Sequence, residues 1–206
     1  MFSGITRGLF PVVELGRREG VTRFTVELSS ELSVGVELGA SIAVDGVCQS
    51  VVAIDGTRVS FEAIPETLSR STLSALEPGR QVSIERSVRV GDEIGGHDVS
   101  GHVLGTGTVV AREHVGEQLD LTLEVPRAWM KYILHKGFIA LDGSSLTVGD
   151  VWPDQGRFDV HLIPETLRRT NFAEKQVGDR VNVELDPRTV TIVDTVERVL
   201  AERLAR

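Results

Sequence analysis

Cys48 and His102 are the side chains best suited to covalent and proton-transfer chemistry in this 206-residue chain. A thiolate is a nucleophile, and an imidazole, which titrates near ~6.5 in water, can move a proton at neutral pH. Taken singly, a cysteine is more often a small buried hydrophobe and a histidine a structural or solvated group. Their setting changes the weighing, because much of the sequence occurs twice and both residues fall where the copies diverge. SIAVDGVCQSV from Ser41 aligns with FIALDGSSLTV from Phe138, so Cys48 stands opposite Ser145. SGIT from Ser3 corresponds to SGHV from Ser100, so Ile5 stands opposite His102. Two similar pockets that have diverged in this way suit a reaction that gives unlike roles to two like ligands.

One element is shared outright: Ile64-Pro65-Glu66-Thr67-Leu68 returns as Ile163-Pro164-Glu165-Thr166-Leu167. The proline follows an extended residue at the end of a strand, and the Glu and Thr after it could offer hydrogen bonds to a planar polar heterocycle. A single copy would read as turn chemistry; retention of all five residues in both copies favours a ligand. Other familiar sites are excluded. Gly105-Thr106-Gly107-Thr108 is not a dinucleotide fingerprint. His97 and His102 have neither a cysteine cluster nor a third ligand, so no metal is expected, and no serine sits in G-x-S-x-G.

The elements that must position these residues are short. Runs such as RFTVELSS, RVSFEAI, QVSIERS and LDLTLEV alternate apolar with polar residues between Gly and Pro, the period of half-buried strands in a small barrel or sandwich. RVSFEAIPETLSRST from Arg58 aligns with RFDVHLIPETLRRTN from Arg157, and GRQVSIE from Gly79 with GDRVNVE from Gly178. Together with the window from Ser41, 15 of 33 aligned positions are identical, at an offset of 97 residues in the first window and 99 in the later two. The chain reads as a tandem duplication of an all-β unit, 1–97 and 98–189, each of a size for a barrel filled by its own side chains. The first half is expected to fold alone and bind ligand. The last segment, 190–206, carries Val193, Val196, Leu200 and Leu204 on one helical stripe, with Asp194 and Glu197 as an N-terminal capping pair. Such a stripe either covers a barrel end or packs against copies of itself, and the second use is favoured.

Composition narrows the partners. Twenty-two Lys and Arg against 30 Asp and Glu give a net charge of −8 with no basic cluster, which argues against nucleic acid. A single cysteine and an N-terminus without a signal-peptide pattern point to the reducing cytoplasm. No apolar run approaches the ~18 residues of a membrane span.

MFSGI, SIAVDGVC, GGHDVSGHV, MKYILHKGFIALDGSSLTV, HLIPETLRRT and RVNVELDP with VDTVERVL together resemble the riboflavin synthase family, over essentially the whole chain. The resemblance implies an all-β protein of two tandem six-stranded Greek-key barrels with a C-terminal amphipathic helix. It implies a transferase that converts two molecules of 6,7-dimethyl-8-ribityllumazine into riboflavin and 5-amino-6-ribitylaminouracil by moving a four-carbon unit, the last step of riboflavin biosynthesis, without a cofactor. It further implies a homotrimer in which the N-terminal barrel of one chain meets the C-terminal barrel of the next. Lumazine and riboflavin are the implied ligands, and lumazine synthase is a candidate partner.

Carried over by motif, the first pocket uses Cys48, Gln49 and Ser50, then Glu62, Ala63, Ile64, Pro65, Glu66 and Thr67. The second uses Lys136, then Ser145, Leu146 and Thr147, then His161, Leu162, Ile163, Pro164, Glu165 and Thr166. Gly4, Ile5 and Thr6, with Gly101, His102 and Val103, are expected to complete the pockets across the subunit interface. Ser41, Cys48, His102, Thr147 and Asp186 are the candidate catalytic groups. The reaction asks for removal of a proton from the C7 methyl of one lumazine and a nucleophile at C7 of the other. His102 suits the first task, and Cys48 or a bound water the second. Holding two substrates in register can itself supply ~7–11 kcal/mol.

The sequence departs from the commonest family pattern at Ser3, where Thr is usual, at Asp45, where Asn is common, and at Gln49-Ser50, which replaces Leu-Thr. The alternative reading is a non-catalytic lumazine or flavin carrier of the same superfamily. Such carriers tend to lose the cysteine and the histidine, whereas Cys48, His102, Lys136 and Thr147 are all present.

Overall fold

The alternation in QLDLTLE is realised directly: Leu119, Leu121 and Leu123 are fully buried, while Gln118, Asp120 and Thr122 between them are only half-buried. The computed structural model describes residues 1–18 and 20–205. In the first repeat the strands are β1 (Leu9–Arg18), β2 (Val21–Glu27), β3 (Ser41–Val44), β4 (Val47–Asp55), β5 (Arg58–Ala63) and β6 (Gln81–Arg86). In the second they are β7 (Gly105–Val115), β8 (Gln118–Glu124), β9 (Phe138–Leu141), β10 (Ser144–Trp152), β11 (Arg157–Leu162) and β12 (Arg180–Leu185). The α-helices are α1 (Ser30–Ser33), α2 (Pro65–Arg70), α3 (Pro164–Arg169) and α4 (Pro187–Leu204).

Both repeats close into six-stranded antiparallel barrels. The first runs β1-β2-β5-β4-β3-β6 and back to β1, and the second has the same order with every strand number raised by six. Closure leaves no free sheet edge among the described residues. The copies even share their irregularities, with register breaks between Val12 and Glu14 and between Val109 and Ala111. The change of offset from 97 to 99 has a local cause. β4 and β5 are joined through Gly56 and Thr57, whereas β10 and β11 are joined by the turn Pro153–Gln155 and Gly156, two residues more.

Each barrel has its own apolar core, and a small third cluster joins them: Phe2, Ala43, Val99 and Ala140, with Cys48 against it. Beside it the hairpin turns of the two repeats meet back to back. A Cβ on Gly46 would lie 2.3 Å from the Gly143 nitrogen, so the approach requires glycine. The aspartates preceding them are both buried. Asp45 accepts from the Ser83 N–H at 2.8 Å and from Arg80 at 3.1 Å; Asp142 accepts from the Asn182 N–H at 2.7 Å and forms an ion pair with Lys175 at 3.0 Å. Burial, reinforced by the neighbouring Asp142 carboxylate, pushes the Asp45 pKa up to about 6.

The last helix differs from its sequence reading at its start. It begins at Pro187, three residues before the expected boundary, and its N-cap is Asp186. Asp194 and Glu197 are not a capping pair. They lie within the helix and hold it to the preceding barrel: Lys131 reaches Glu197 at 2.5 Å, and the Tyr132 hydroxyl donates to Asp194 at 2.5 Å. Proline in the first turn with an aspartate before it starts the helix ahead of the segment the apolar stripe marks. Of the apolar stripe, Val193 is half-buried and Val196, Leu200 and Leu204 are exposed. Arg206, the last residue of the expected segment, lies outside the described residues.

Candidate active site

Each repeat begins with a short segment held by a buried glutamate on that repeat's last strand. Glu85 on β6 accepts from the Ser3 N–H and hydroxyl, both at 2.7 Å, and from the Gly4 N–H at 3.0 Å. Glu184 on β12 accepts from the Ser100 N–H at 2.6 Å, its hydroxyl at 2.7 Å, and the Gly101 N–H at 2.9 Å. Burial raises the Glu85 pKa, and the donors of Ser3 and Gly4 pull against that rise. Ser3 keeps the hydroxyl that the clamp uses.

The clamped segments then cross. The Gly4 carbonyl accepts from the Ser145 N–H at 2.8 Å, and the Gly101 carbonyl from the Cys48 N–H at 2.9 Å. A Cβ on Gly4 would lie 2.5 Å from Ser145 Cβ, one on Gly101 would lie 2.6 Å from Cys48 Cβ, and φ is +75° and +81° respectively, so both positions require glycine. This corrects the expectation that Gly4, Ile5 and Thr6, and Gly101, His102 and Val103, reach into a neighbouring chain. Clamp and crossing hydrogen bonds close within one chain, each segment completing the pocket of the other barrel.

The N-terminal pocket, about 180 Å³, combines Val47 and Cys48 of β4 with Glu66, Thr67 and Arg70 of α2, Ser71, and Gly101, His102 and Val103. The C-terminal pocket, about 400 Å³, combines Ser144, Ser145 and Leu146 of β10 with Glu165, Thr166 and Arg169 of α3, Thr170, and the stretch from Gly4 to Arg7. Cys48 and His102 therefore meet in one pocket, and their counterparts Ser145 and Ile5 meet in the other. The repeated I-P-E-T-L element is a strand end turning into a helix, with Pro65 or Pro164 in the first turn, where a missing N–H costs nothing. Arg70 and Arg169 pair with Glu66 and Glu165 one turn back, at 3.3 and 2.5 Å.

Strand alternation sorts the remaining candidates. Gln49 is 5% exposed, and its amide donates to the Cys48 carbonyl at 2.9 Å; its side chain belongs to the barrel wall rather than the pocket. Ser41 pairs with Ser50, and Glu62 follows one step beyond the Val51–Phe61 pair, so these three form a row across the outer face of the N-terminal barrel. Phe138, Thr147 and His161 form the matching row on the C-terminal barrel. The rows flank the pockets without lining them. Glu62 lies 4.0 Å from Arg23, and His161 2.9 Å from Asp120. Ala63 and Leu162 are buried in the walls, and Ile64 and Ile163 are exposed ahead of the prolines. Lys136, in a left-handed conformation on an exposed loop, lies outside both linings.

Asp186, a candidate for chemistry, is engaged elsewhere. Its carboxylate accepts from the N–H groups of Arg188 and Thr189 and from the Thr189 hydroxyl at 2.6 Å. Burial favours its neutral form, but these donors together outweigh it and lower the pKa. Among the described residues no group of three or more His, Cys, Asp and Glu is arranged to hold a metal ion.

Sequence reasoning gave no role in the pockets to four residues here, having weighed His97 only as a metal ligand. Glu85 and Glu184 had a signal, since they are the identical last positions of GRQVSIE and GDRVNVE. Gly96 and His97 lie in the linker, which occurs once and so has no copy to reveal it. A Cβ on Gly96 would lie 2.2 Å from the Ser3 carbonyl oxygen and 2.7 Å from Ser145 Cβ. His97 Nδ1 lies 2.6 Å from the Ser145 hydroxyl, and its ring stacks on Phe138 with centroids 5.1 Å apart. Burial lowers the His97 pKa, against the pull of Asp186, Glu184 and Asp98.

The Lumazine binding domain family model matches residues 3–87 and again residues 100–186. Riboflavin synthase of Escherichia coli (strain K12) is 45% identical over 205 residues, covering 98% of this chain and 95% of that protein. Riboflavin synthase of Chlamydia muridarum is 42% identical over 206 residues, covering 100% of both. The chain belongs to the riboflavin synthase family. Among solved structures, LumP complexed with riboflavin matches with a TM-score of 0.83 at 24% identity, over 90% of this chain and 100% of that one. LumP complexed with 6,7-dimethyl-8-(1'-D-ribityl) lumazine matches at 0.81 and 22%. At such identities the likeness speaks for the twin-barrel fold alone. The two matches to the family model fall on the two clamped, crossed repeats, so the riboflavin synthase family architecture and the pocket geometry have the same boundaries.

Proposed function

We infer that the chain carries out the riboflavin synthase reaction, the dismutation of two 6,7-dimethyl-8-ribityllumazine molecules into riboflavin and 5-amino-6-ribitylaminouracil. One observation carries this: two pockets of common build hold unlike groups, Cys48 with His102 in one and Ser145 with Ile5 in the other. The atoms of two lumazines equal those of the two products, so the transfer needs no external oxidant, reductant or cofactor. The Cys48 thiolate or a bound water adds to C7 of the lumazine in its own pocket, its attack pushing an electron pair into the ring, and is expelled again as the four-carbon unit is transferred, so that neither product stays bonded to the protein. His102, exposed on the crossing segment, takes the proton from the C7 methyl of the facing lumazine and returns it as the four-carbon unit moves.

For two lumazines to face each other, chains assemble as homotrimers with the N-terminal pocket of one against the C-terminal pocket of the next. The supporting feature is α4, whose Ile192, Val196, Leu200 and Leu204 are between 51% and 87% exposed. A cytoplasmic setting fits the single free cysteine; no helix among the described residues is long and apolar enough to cross a membrane. Lumazine synthase is the candidate partner, and co-purification tests it.

Mixing the purified chain with the lumazine and following riboflavin fluorescence tests the reaction. Steady formation of riboflavin is expected, and binding without turnover would favour the carrier instead. Removing residues 187–206 is expected to abolish the trimer in light scattering and lower activity at least about tenfold, because a shared site needs its partner. An intact, fully active trimer would refute the assembly.

A further inference from the structure

Ser145 lines the C-terminal pocket, and its hydroxyl is the only hydrogen-bond contact of the His97 ring among the described residues. His97 is 8% exposed, and its Nε2 is buried without a hydrogen-bond partner among the described residues. A neutral imidazole carries one N–H. Placing that proton on Nε2 would leave a buried donor unpaired, which folded proteins avoid more strictly than an unpaired acceptor. The proton therefore sits on Nδ1, and Nδ1–H donates to the Ser145 oxygen. The hydroxyl of Ser145 must then direct its own proton elsewhere. Its backbone N–H is already given to the Gly4 carbonyl, and Gly4 and Gly96 close off its Cβ on two sides. The direction left for the hydroxyl proton is the pocket.

We propose that His97 is a positioning residue that fixes the Ser145 hydroxyl as a hydrogen-bond donor into the C-terminal pocket, where it meets an acceptor heteroatom on the heterocycle of the bound lumazine. This rests on the lumazine-binding reading above and adds a rule of selection to it: the C-terminal pocket takes a ring that presents an acceptor at that point. The N-terminal pocket has no such device. Its counterpart is Cys48, whose thiol is a weak donor, and the linker that carries His97 exists once.

The test compares riboflavin binding by fluorescence titration, which needs no turnover, and then the KM for lumazine. Ser145→Ala and His97→Phe, which keeps the stack on Phe138, should each weaken one of the two binding sites about tenfold, the loss expected for one hydrogen bond. The double variant should be no weaker than either single one. His97→Asn places an amide N–H near the Nδ1 position and should return binding to within about twofold of wild type, whereas His97→Gln should not. In the wild-type chain, nitrogen NMR of labelled histidines should show His97 protonated at Nδ1 and bare at Nε2. A proton on Nε2, additive losses in the double variant, or equal behaviour of His97→Phe and His97→Asn would overturn the proposal. If His97→Phe fails to fold, as its thermal melt would show, Ser145→Ala and the nitrogen spectrum decide. A wild-type chain that binds riboflavin but never forms it would count against the reaction and leave the His97 comparison intact.

Discussion

The two pockets share a clamp, a crossing glycine and an I-P-E-T-L turn, yet they differ in what stands beside the outward-facing residue at the start of β4 or β10. Beside Cys48 lie the Gly101 carbonyl and the exposed His102; beside Ser145 lie the Gly4 carbonyl, the aliphatic Ile5 and the buried His97. One histidine is free to meet a ligand, and the other acts on a serine from behind. Duplication preserved the scaffold, because both barrels need the same glycines and glutamates. The asymmetry came from single positions and from a linker that belongs to neither repeat.

The sharpest way to break this comparison is to damage the pockets one at a time. His102→Gln keeps hydrogen bonding and removes proton transfer, so turnover should fall about 10²–10⁴-fold, and Cys48→Ser should cause a large but incomplete loss. Because both residues serve the same pocket of the same chain, mixing these two variants should restore nothing. Mixing Cys48→Ser with Gly4→Ala, which spoils the C-terminal pocket, should restore riboflavin formation, since some sites then join two wild-type pockets. Recovery in the first mixture, with subunit exchange verified by mass spectrometry, would show that the assignment of Cys48 and His102 to one chain is wrong.

A second step sharpens it at the crossing points. Gly4→Ala and Gly101→Ala each force a Cβ within 2.5–2.6 Å of a strand Cβ in the opposite barrel. Each should cost about 100-fold in activity while removing only one binding site in a riboflavin titration, because a packed wall cannot yield that far. Loss of both sites in either variant would mean that the pockets are not independent.

The smallest effect concerns the buried aspartates between the barrels. Burial holds the folded-state pKa of Asp45 at about 6, above that of an ordinary aspartate, so its charged form costs stability above about pH 6, and the cost fades as pH falls toward ~4. Asp45→Asn should therefore raise the melting temperature by ~3 °C at about pH 7.5, with a smaller gain at about pH 5. An equal gain at both values would show that Asp45 titrates normally.

Much of the fold was legible because duplication writes the same pattern twice. The repeated strands and the opposition of Cys48 to Ser145 and of His102 to Ile5 follow from aligning the halves, which leaves a barrel or a sandwich open; the six-stranded barrels came from the family resemblance. What the alignment could not give is direction in space. Gln49 looked like a pocket residue from its motif, but the two-residue period of the strand turns it into the wall. Asp186 looked catalytic, but it precedes a proline that starts a helix, and the vacant N–H groups there claim its carboxylate. The segments from Gly4 and from Gly101 were expected across a subunit boundary, whereas their hydrogen bonds to Ser145 and Cys48 close within one chain. Whether a strand-less segment serves its own chain or another depends on contacts far apart in sequence, such as Gly4 with Ser145.

The crossing also fixes what a single repeat can do. Residues 1–97 carry the segment that fits Ser145 but lack Gly101, His102 and Val103, which close the pocket around Cys48. In an isolated half, the matching piece is the same Ser3–Thr6 segment of a second copy. Reciprocal exchange of identical pieces closes on a twofold axis, so the free half is expected to exist as a segment-swapped dimer rather than as a lone barrel. The present chain has the form of such a dimer joined end to end, with Gly46 against Gly143 where a twofold axis would run.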